Sequence, residues 1–158
     1  MPAWTQHDLE FLAVMNTFYH QRTEKLFTDL ADGSACLQIT LLMVAAGASV
    51  LSPGSVTTAL ILTAIGLTGV TLGARIPSKR AIHRDFKGKW GALLADVKTS
   101  PEEDLAALSA RVHALNQEEP PPNRKRLDWA YEAACRSLGL EPVVTEPPDE
   151  GLEAHGGR

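Results

Sequence analysis

The side chains in this sequence best able to do chemistry are five histidines, His7, His20, His83, His113 and His155, and two cysteines, Cys36 and Cys135. Metal ligation or metal-assisted hydrolysis would need donors at spacings such as HExxH or CxxC, which bring two ligands to one ion. Neither spacing occurs. His83 precedes Asp85 in a basic segment, where a solvated surface position is the expectation rather than a metal site. No P-loop, Rossmann glycine pattern or nucleophile elbow is present. The expectation is a non-enzyme with no catalytic residues, metal or cofactor. The two cysteines stand far apart, so neither a disulfide framework nor a zinc site is indicated, and a reduced, cytoplasm-facing polar part is the simplest reading.

A different set of polar groups lies in an unusual setting. Residues 33–74 contain no charged side chain, and all fifteen basic and nineteen acidic residues lie outside that stretch. Within it are Gln38 and the hydroxyls of Thr40, Ser49, Thr57, Thr58, Thr63, Thr68 and Thr71. Threonine in a membrane helix usually bonds back to a helix carbonyl. Collectively, Gln38, Thr40, Thr57, Thr68 and Thr71 are candidates to line a neutral pore. Such a pore would need several copies of the chain and would discriminate poorly between cations and anions. With no ionisable group in the stretch, an ion-coupled carrier is disfavoured.

The elements that must position these groups follow from length and punctuation. Ser52-Pro53-Gly54-Ser55 divides the uncharged stretch into spans at residues 35–51 and 56–74, each near the ~17–25 residues needed to cross a bilayer as a helix. A turn this short makes the spans antiparallel neighbours. Small residues (Ala45 and Ser49 in the first span, Gly66, Gly69 and Gly73 in the second) are the expected sites of close helix packing. The N-terminus lacks the basic-then-apolar pattern of a secretory signal, so the hairpin is expected to persist in the mature chain.

Arg75, Lys79, Arg80, Arg84, Lys87 and Lys89 follow the second span, opposed only by Asp85, and Arg22 and Lys25 precede the first. The turn carries no basic residue. Lysine and arginine near span ends mark the cytoplasmic side, so both termini are expected there, in the inner (plasma) membrane. The same stripe can touch anionic lipid headgroups as well as set topology. The net charge of −4 gives no reason to expect nucleic acid.

Outside the membrane the pattern is helical. Leu9, Leu12, Met15, Phe18/Tyr19, Leu26 and Leu30 recur at three- and four-residue steps, with Thr5 as N-cap, Asp8 complementing the helix dipole, and a stop at Asp32-Gly33-Ser34. Ile82, Phe86, Trp90, Leu93/Leu94 and Val97 form a second stripe, which Pro77 separates from the second span. Ser100, Pro101 and Glu103 read as a capping box for a helix carrying Leu105, Leu108, Val112 and Leu115. Beyond Pro120-Pro121-Pro122, a last helix buries Leu127, Tyr131, Ala134 and Leu138 and stops at Gly139. Arg124-Lys125-Arg126 oppose its dipole, and pairing with Glu118 and Glu119 is expected, with an acidic partner or lipid as the alternative. Residues 140–158 are rich in Pro, Gly and acid and are expected to be a disordered acidic tail.

The reading is therefore all-α: an N-terminal amphipathic helix in residues 1–34, a transmembrane hairpin in 35–74, a small helical cytoplasmic region in 75–139, and the tail. With Phe18-Tyr19-His20-Gln21-Arg22 before the hairpin and residues 79–90 after it, this order resembles the bacterial SLATT family (SMODS and SLOG-associating two-transmembrane proteins). The Pro101-Glu-Glu-Asp-Leu and Glu118-Glu-Pro-Pro stretches look like those of related mobile-element membrane proteins, and the likeness covers residues 5–139. It implies a membrane effector of prokaryotic conflict and antiviral defence systems, proposed to form pores as an oligomer. Its signal would come from a separate sensor or signalling protein, and no catalytic residues carry over. A non-conducting membrane adaptor whose cytoplasmic helices dock a partner, a holin, and a soluble bundle with a buried apolar hairpin are the other readings.

Overall fold

The computed structural model describes residues 4–51 and 54–142, which are all-helical, with no strand among them. The helices are α1 (Gln6–Leu51), α2 (Ser55–Gly73), α3 (Ile76–Thr99), a 3-10 turn (Glu102–Asp104), α4 (Leu105–Glu118) and α5 (Arg124–Ser137). Two helical stretches, Gln6–Ser49 and Ser55–Thr99, are long and apolar enough to cross a membrane, and only 6% of the apolar window in each is buried. Core helices of a soluble bundle would be mostly covered. Ser52 and Pro53 of the connecting turn, and the acidic tail from residue 143, lie outside the described residues.

The expected stop at Asp32-Gly33-Ser34 does not occur. α1 runs unbroken for 46 residues, about 69 Å. A single helical glycine costs only ~1 kcal/mol, and Ser34 keeps its hydroxyl within the helix by donating to the Ala31 carbonyl at 2.8 Å. Its other end starts as anticipated. Thr5 is the N-cap: its Oγ1 accepts from the Asp8 amide, and the Thr5 amide donates to Asp8 Oδ2 at 2.9 Å, a reciprocal box. The Thr5 hydroxyl, which also donates to Asp8 Oδ2 at 2.7 Å, and then the Thr5 amide hold the Asp8 carboxyl below its usual range.

The partner of α1 is broken where α1 is not. α2 ends at Ala74, and Arg75 takes a left-handed backbone (φ 54°) before α3 begins with Pro77 in its first turn. The interruption expected from Pro77 is present, two residues ahead of it. α2 and α3 both run antiparallel to α1. Gln6 Nε2 donates to the Val97 carbonyl at 2.8 Å, Lys98 pairs with Glu10, His20 meets His83, and Lys87 pairs with Glu24. In that register Arg75 falls level with Asp32-Gly33-Ser34. The end of the uncharged stretch is thus marked on both sides, but only one side turns.

Away from the uncharged hairpin the core is apolar. Leu9 and Ala13 of α1 pack with Phe86, Trp90, Leu93 and Val97 of α3 and Leu108 and Val112 of α4. Trp90 is fully buried and its indole N–H has no partner, so its contribution is packing alone. Ser100 proves to be the C-cap of α3, its amide bonded to the Asp96 carbonyl. The capping box assigned to it gives way to a 3-10 turn in which the Asp104 amide donates to the Pro101 carbonyl at 3.0 Å. α5 lies on α1, with Phe11 edge-on to Tyr131 at 5.6 Å and Arg22 over Trp129 at 4.2 Å. It ends as predicted: Gly139 (φ 70°) donates to Arg136 and Leu140 to Cys135, a Schellman close.

Candidate functional site: a buried histidine pair beneath the hairpin

The seam of α1 changes character toward the hairpin. Leu9 and Ala13 are followed by Asn16, His20 and Thr23, all buried, in alternating steps of three and four. Facing them on α3, the seam runs Val97, Leu93, Trp90, Phe86 and His83. An apolar core therefore ends in a polar layer under the hairpin. Thr23 satisfies its hydroxyl on the Tyr19 carbonyl at 2.8 Å.

His20 is wholly enclosed. Its Nδ1 lies 2.9 Å from His83 Nδ1, so one ring donates and the other accepts. Its Nε2 lies 2.7 Å from Glu119 Oε1, an ionic contact that is close but not aligned with the ring N–H as a hydrogen bond. Phe86 stacks on His20 at 5.4 Å, Phe27 stacks on His83 at 5.7 Å, and Tyr19 stands edge-on to both histidines. The cluster is a polar contact in aromatic walls. Burial, then the neighbouring His20 and Arg126, push His83 down to about 4, with Glu119 opposing, so the His83 ring is neutral at physiological pH.

The site also anchors the last two helices. The Pro120-Pro121-Pro122 strap is held at both ends by adjacent residues of α1: Glu119 contacts His20, and the Asn123 amide donates to the Tyr19 hydroxyl at 3.0 Å. Three elements (α1, α3 and the α4–α5 strap) thus meet at one buried point. Because the two Nδ1 atoms bond each other, no space remains between them for an ion. Among the described residues no group of three or more His, Cys, Asp or Glu side chains is placed to hold a metal.

The sequence expectation for His83 is overturned. It is buried rather than solvated, and Asp85 instead pairs with Lys89 at 3.2 Å. The expected pairing of Arg124-Lys125-Arg126 with Glu118 and Glu119 is also not what forms. Glu118 bonds Lys89 at 3.1 Å, Glu119 meets His20, and Arg126 lies over Phe27. Asn123 caps α5 instead, accepting from the Arg126 amide.

The packing residues divide. Ala45 (2% exposed) and Ala64 (4% exposed) are the buried side chains of the two spans among the described residues. Ser49, Gly66, Gly69 and Gly73 are exposed, and a methyl group built on any of the three glycines would meet nothing within 4 Å. Those glycines are not the seam of the hairpin.

Of the pore-lining candidates, Thr40, Thr68 and Thr71 donate to the carbonyls of Cys36, Ala64 and Leu67, the ordinary arrangement for membrane threonine. Thr57 keeps a buried hydroxyl with no partner, and Gln38 is half-buried. The basic residues do several things. Lys79 lies over Phe27, Arg84 and Lys87 share Glu24, and Lys89 bridges Asp85 and Glu118. Comparisons with protein-family models, curated proteins and solved structures found no match for this chain.

Proposed function

We propose that the chain is a two-pass protein of the plasma (inner) membrane with both termini cytoplasmic, and that copies of it assemble into a pore-forming effector of the SLATT-like, prokaryotic-defence kind. In this reading the helical base receives a signal from a sensor or signalling partner and passes it to the hairpin. The supporting observation is mechanical. α1 passes from base to hairpin without a break, and the return path is interrupted only at Ala74 and Arg75. Movement of the base therefore tilts or rotates the spans directly. A protein that only needed anchoring could use a flexible linker.

A non-conducting adaptor is the second reading. Its support is that Thr40, Thr68 and Thr71 spend their hydroxyls on their own helices, leaving a less polar surface for a lumen.

Membrane potential in bacteria expressing the chain, followed with a voltage-sensitive dye, separates the two. The effector reading expects depolarisation. It expects the effect to disappear when flexible Gly-Ser inserts are placed after Gly33 and after Ala74, with the protein still in the membrane fraction. An adaptor leaves the potential unchanged with or without the inserts. Residence in the soluble fraction without detergent would overturn both.

A further inference from the structure

A groove of about 590 Å³ lies where α1 passes the first turns of α3, lined by Ala31, Pro77, Arg80, Ala81, Arg84 and Asp85. Small side chains on both helices open it: two alanines and a proline ring leave an apolar floor. Its cations are underused. Asp85 is engaged by Lys89. Arg84 reaches Glu24 only through Nε at 3.5 Å, with its side chain 69% exposed, while Lys87 holds the other Glu24 oxygen closely. Arg80, one turn before Arg84 and half-buried, makes no ion pair among the described residues. Two guanidinium groups one helical turn apart, Arg80 without an ion pair among the described residues and Arg84 holding Glu24 only at 3.5 Å, suit a phosphate, which takes the planar arginine fork in two parallel bonds.

Depth identifies the ligand. Ala31 stands just before the uncharged stretch of α1, and Pro77 just after that of α2 and the Arg75 turn. On the membrane reading above, on which this inference rests, the groove opens at the level of the cytoplasmic headgroups. Leu30, Leu37, Val70 and Leu72 nearby in sequence are exposed and apolar, a surface for acyl chains but not for a soluble anion. A stripe that served topology alone would need neither a cavity nor an arginine left without an ion pair.

We propose that this groove binds the phosphate of an anionic phospholipid, seated between Arg80 and Arg84. The experiment places the full chain in phosphatidylcholine nanodiscs with and without phosphatidylglycerol, and measures the thermal midpoint and, by native mass spectrometry, the lipid retained. Phosphatidylglycerol is expected to be retained preferentially and to raise the midpoint. The Arg80→Gln/Arg84→Gln variant is expected to hold it about thirtyfold more weakly, whereas Arg124→Gln/Lys125→Gln, equal in charge lost, keeps the preference. Equal loss in both variants, no preference in the native chain, or the same shift from inorganic phosphate in solution would each overturn the proposal. Failure to enter nanodiscs would overturn the membrane reading as well, whereas entry without lipid preference overturns this inference alone.

Discussion

His20 on α1 and His83 on α3 meet Nδ1 to Nδ1 at 2.9 Å, and that contact sets how the two helices are aligned beneath the hairpin. Aliphatic and aromatic contacts along the rest of the seam tolerate sliding, because one apolar neighbour resembles another. A ring nitrogen enclosed by Tyr19, Phe27 and Phe86 does not, since a slip leaves it without a partner. Single polar residues in a helical seam fix register in this way in coiled coils.

Removing either ring should therefore strand the other. His20→Ala or His83→Ala is expected to cost about 1–3 kcal/mol by leaving a buried polar group unpaired, and the pair should show a coupling of about 0.5–3 kcal/mol in a double-mutant cycle. Denaturant unfolding of the four proteins in detergent measures it. Additive losses would mean that the two rings do not interact.

Acid should loosen the same layer. The folded protein holds His83 at about 4, below the ordinary 6.5, so folding favours the neutral ring. The stability this gives is complete above about pH 6.5. It is lost as the pH falls from there toward 4, the range in which the unfolded chain binds a proton that the folded chain refuses. Glu24, Glu119, Arg84, Lys87 and Arg126 surround the cluster from α1, α3, the strap and α5. The thermal midpoint should fall between pH 6.5 and 4.5, and His83→Asn should flatten the profile there. A native profile that is already flat would refute the assignment.

Much of this architecture was legible because it rests on charge and on turn chemistry. The uncharged stretch, the Thr5 cap, the break before Pro77 and the Gly139 stop all have local causes. The histidine layer is invisible to an apolar pattern. On α3 the apolar stripe begins at Ile82, which is 43% exposed, instead of His83, which completes the alternating series through Phe86, Trp90, Leu93 and Val97. On α1 it takes in Leu26 and Leu30, both exposed, and passes over Asn16, His20 and Thr23. Spacing held the information, and polarity hid it. Continuation of α1 past Gly33 was not readable locally, because a weak glycine break yields once a partner helix packs alongside.

Arg75 offers a test of the boundary. It occupies the left-handed position after α2 that glycine usually fills, at a cost of about 1 kcal/mol for a residue with a Cβ. Arg75→Gly is expected to raise the unfolding free energy by about 0.5–1 kcal/mol and, on the proposed two-pass topology, to leave the orientation unchanged, because Lys79, Arg80 and Arg84 remain beside the second span. Loss of stability would mean that the arginine side chain contributes more than its backbone costs.

The hairpin separates two kinds of contact within one helix. Ala64 and Ala45 are the buried residues of the two spans among the described residues, and α2 packs on α1, so Ala64→Leu is expected to force the spans apart at about 1–3 kcal/mol and to lower the thermal midpoint of a single chain in detergent. Gly69 faces open space. Gly69→Leu should leave that midpoint nearly unchanged, apart from the small gain of replacing a helical glycine. If copies of the chain pack through the glycine face, however, the same substitution should shift the oligomer distribution toward smaller species, which cross-linking in membranes would detect. Depolarisation lost in Gly69→Leu with the single-chain midpoint intact would tie conduction to assembly. A midpoint that drops with Gly69→Leu would instead place that glycine at the hairpin's own seam and refute the division.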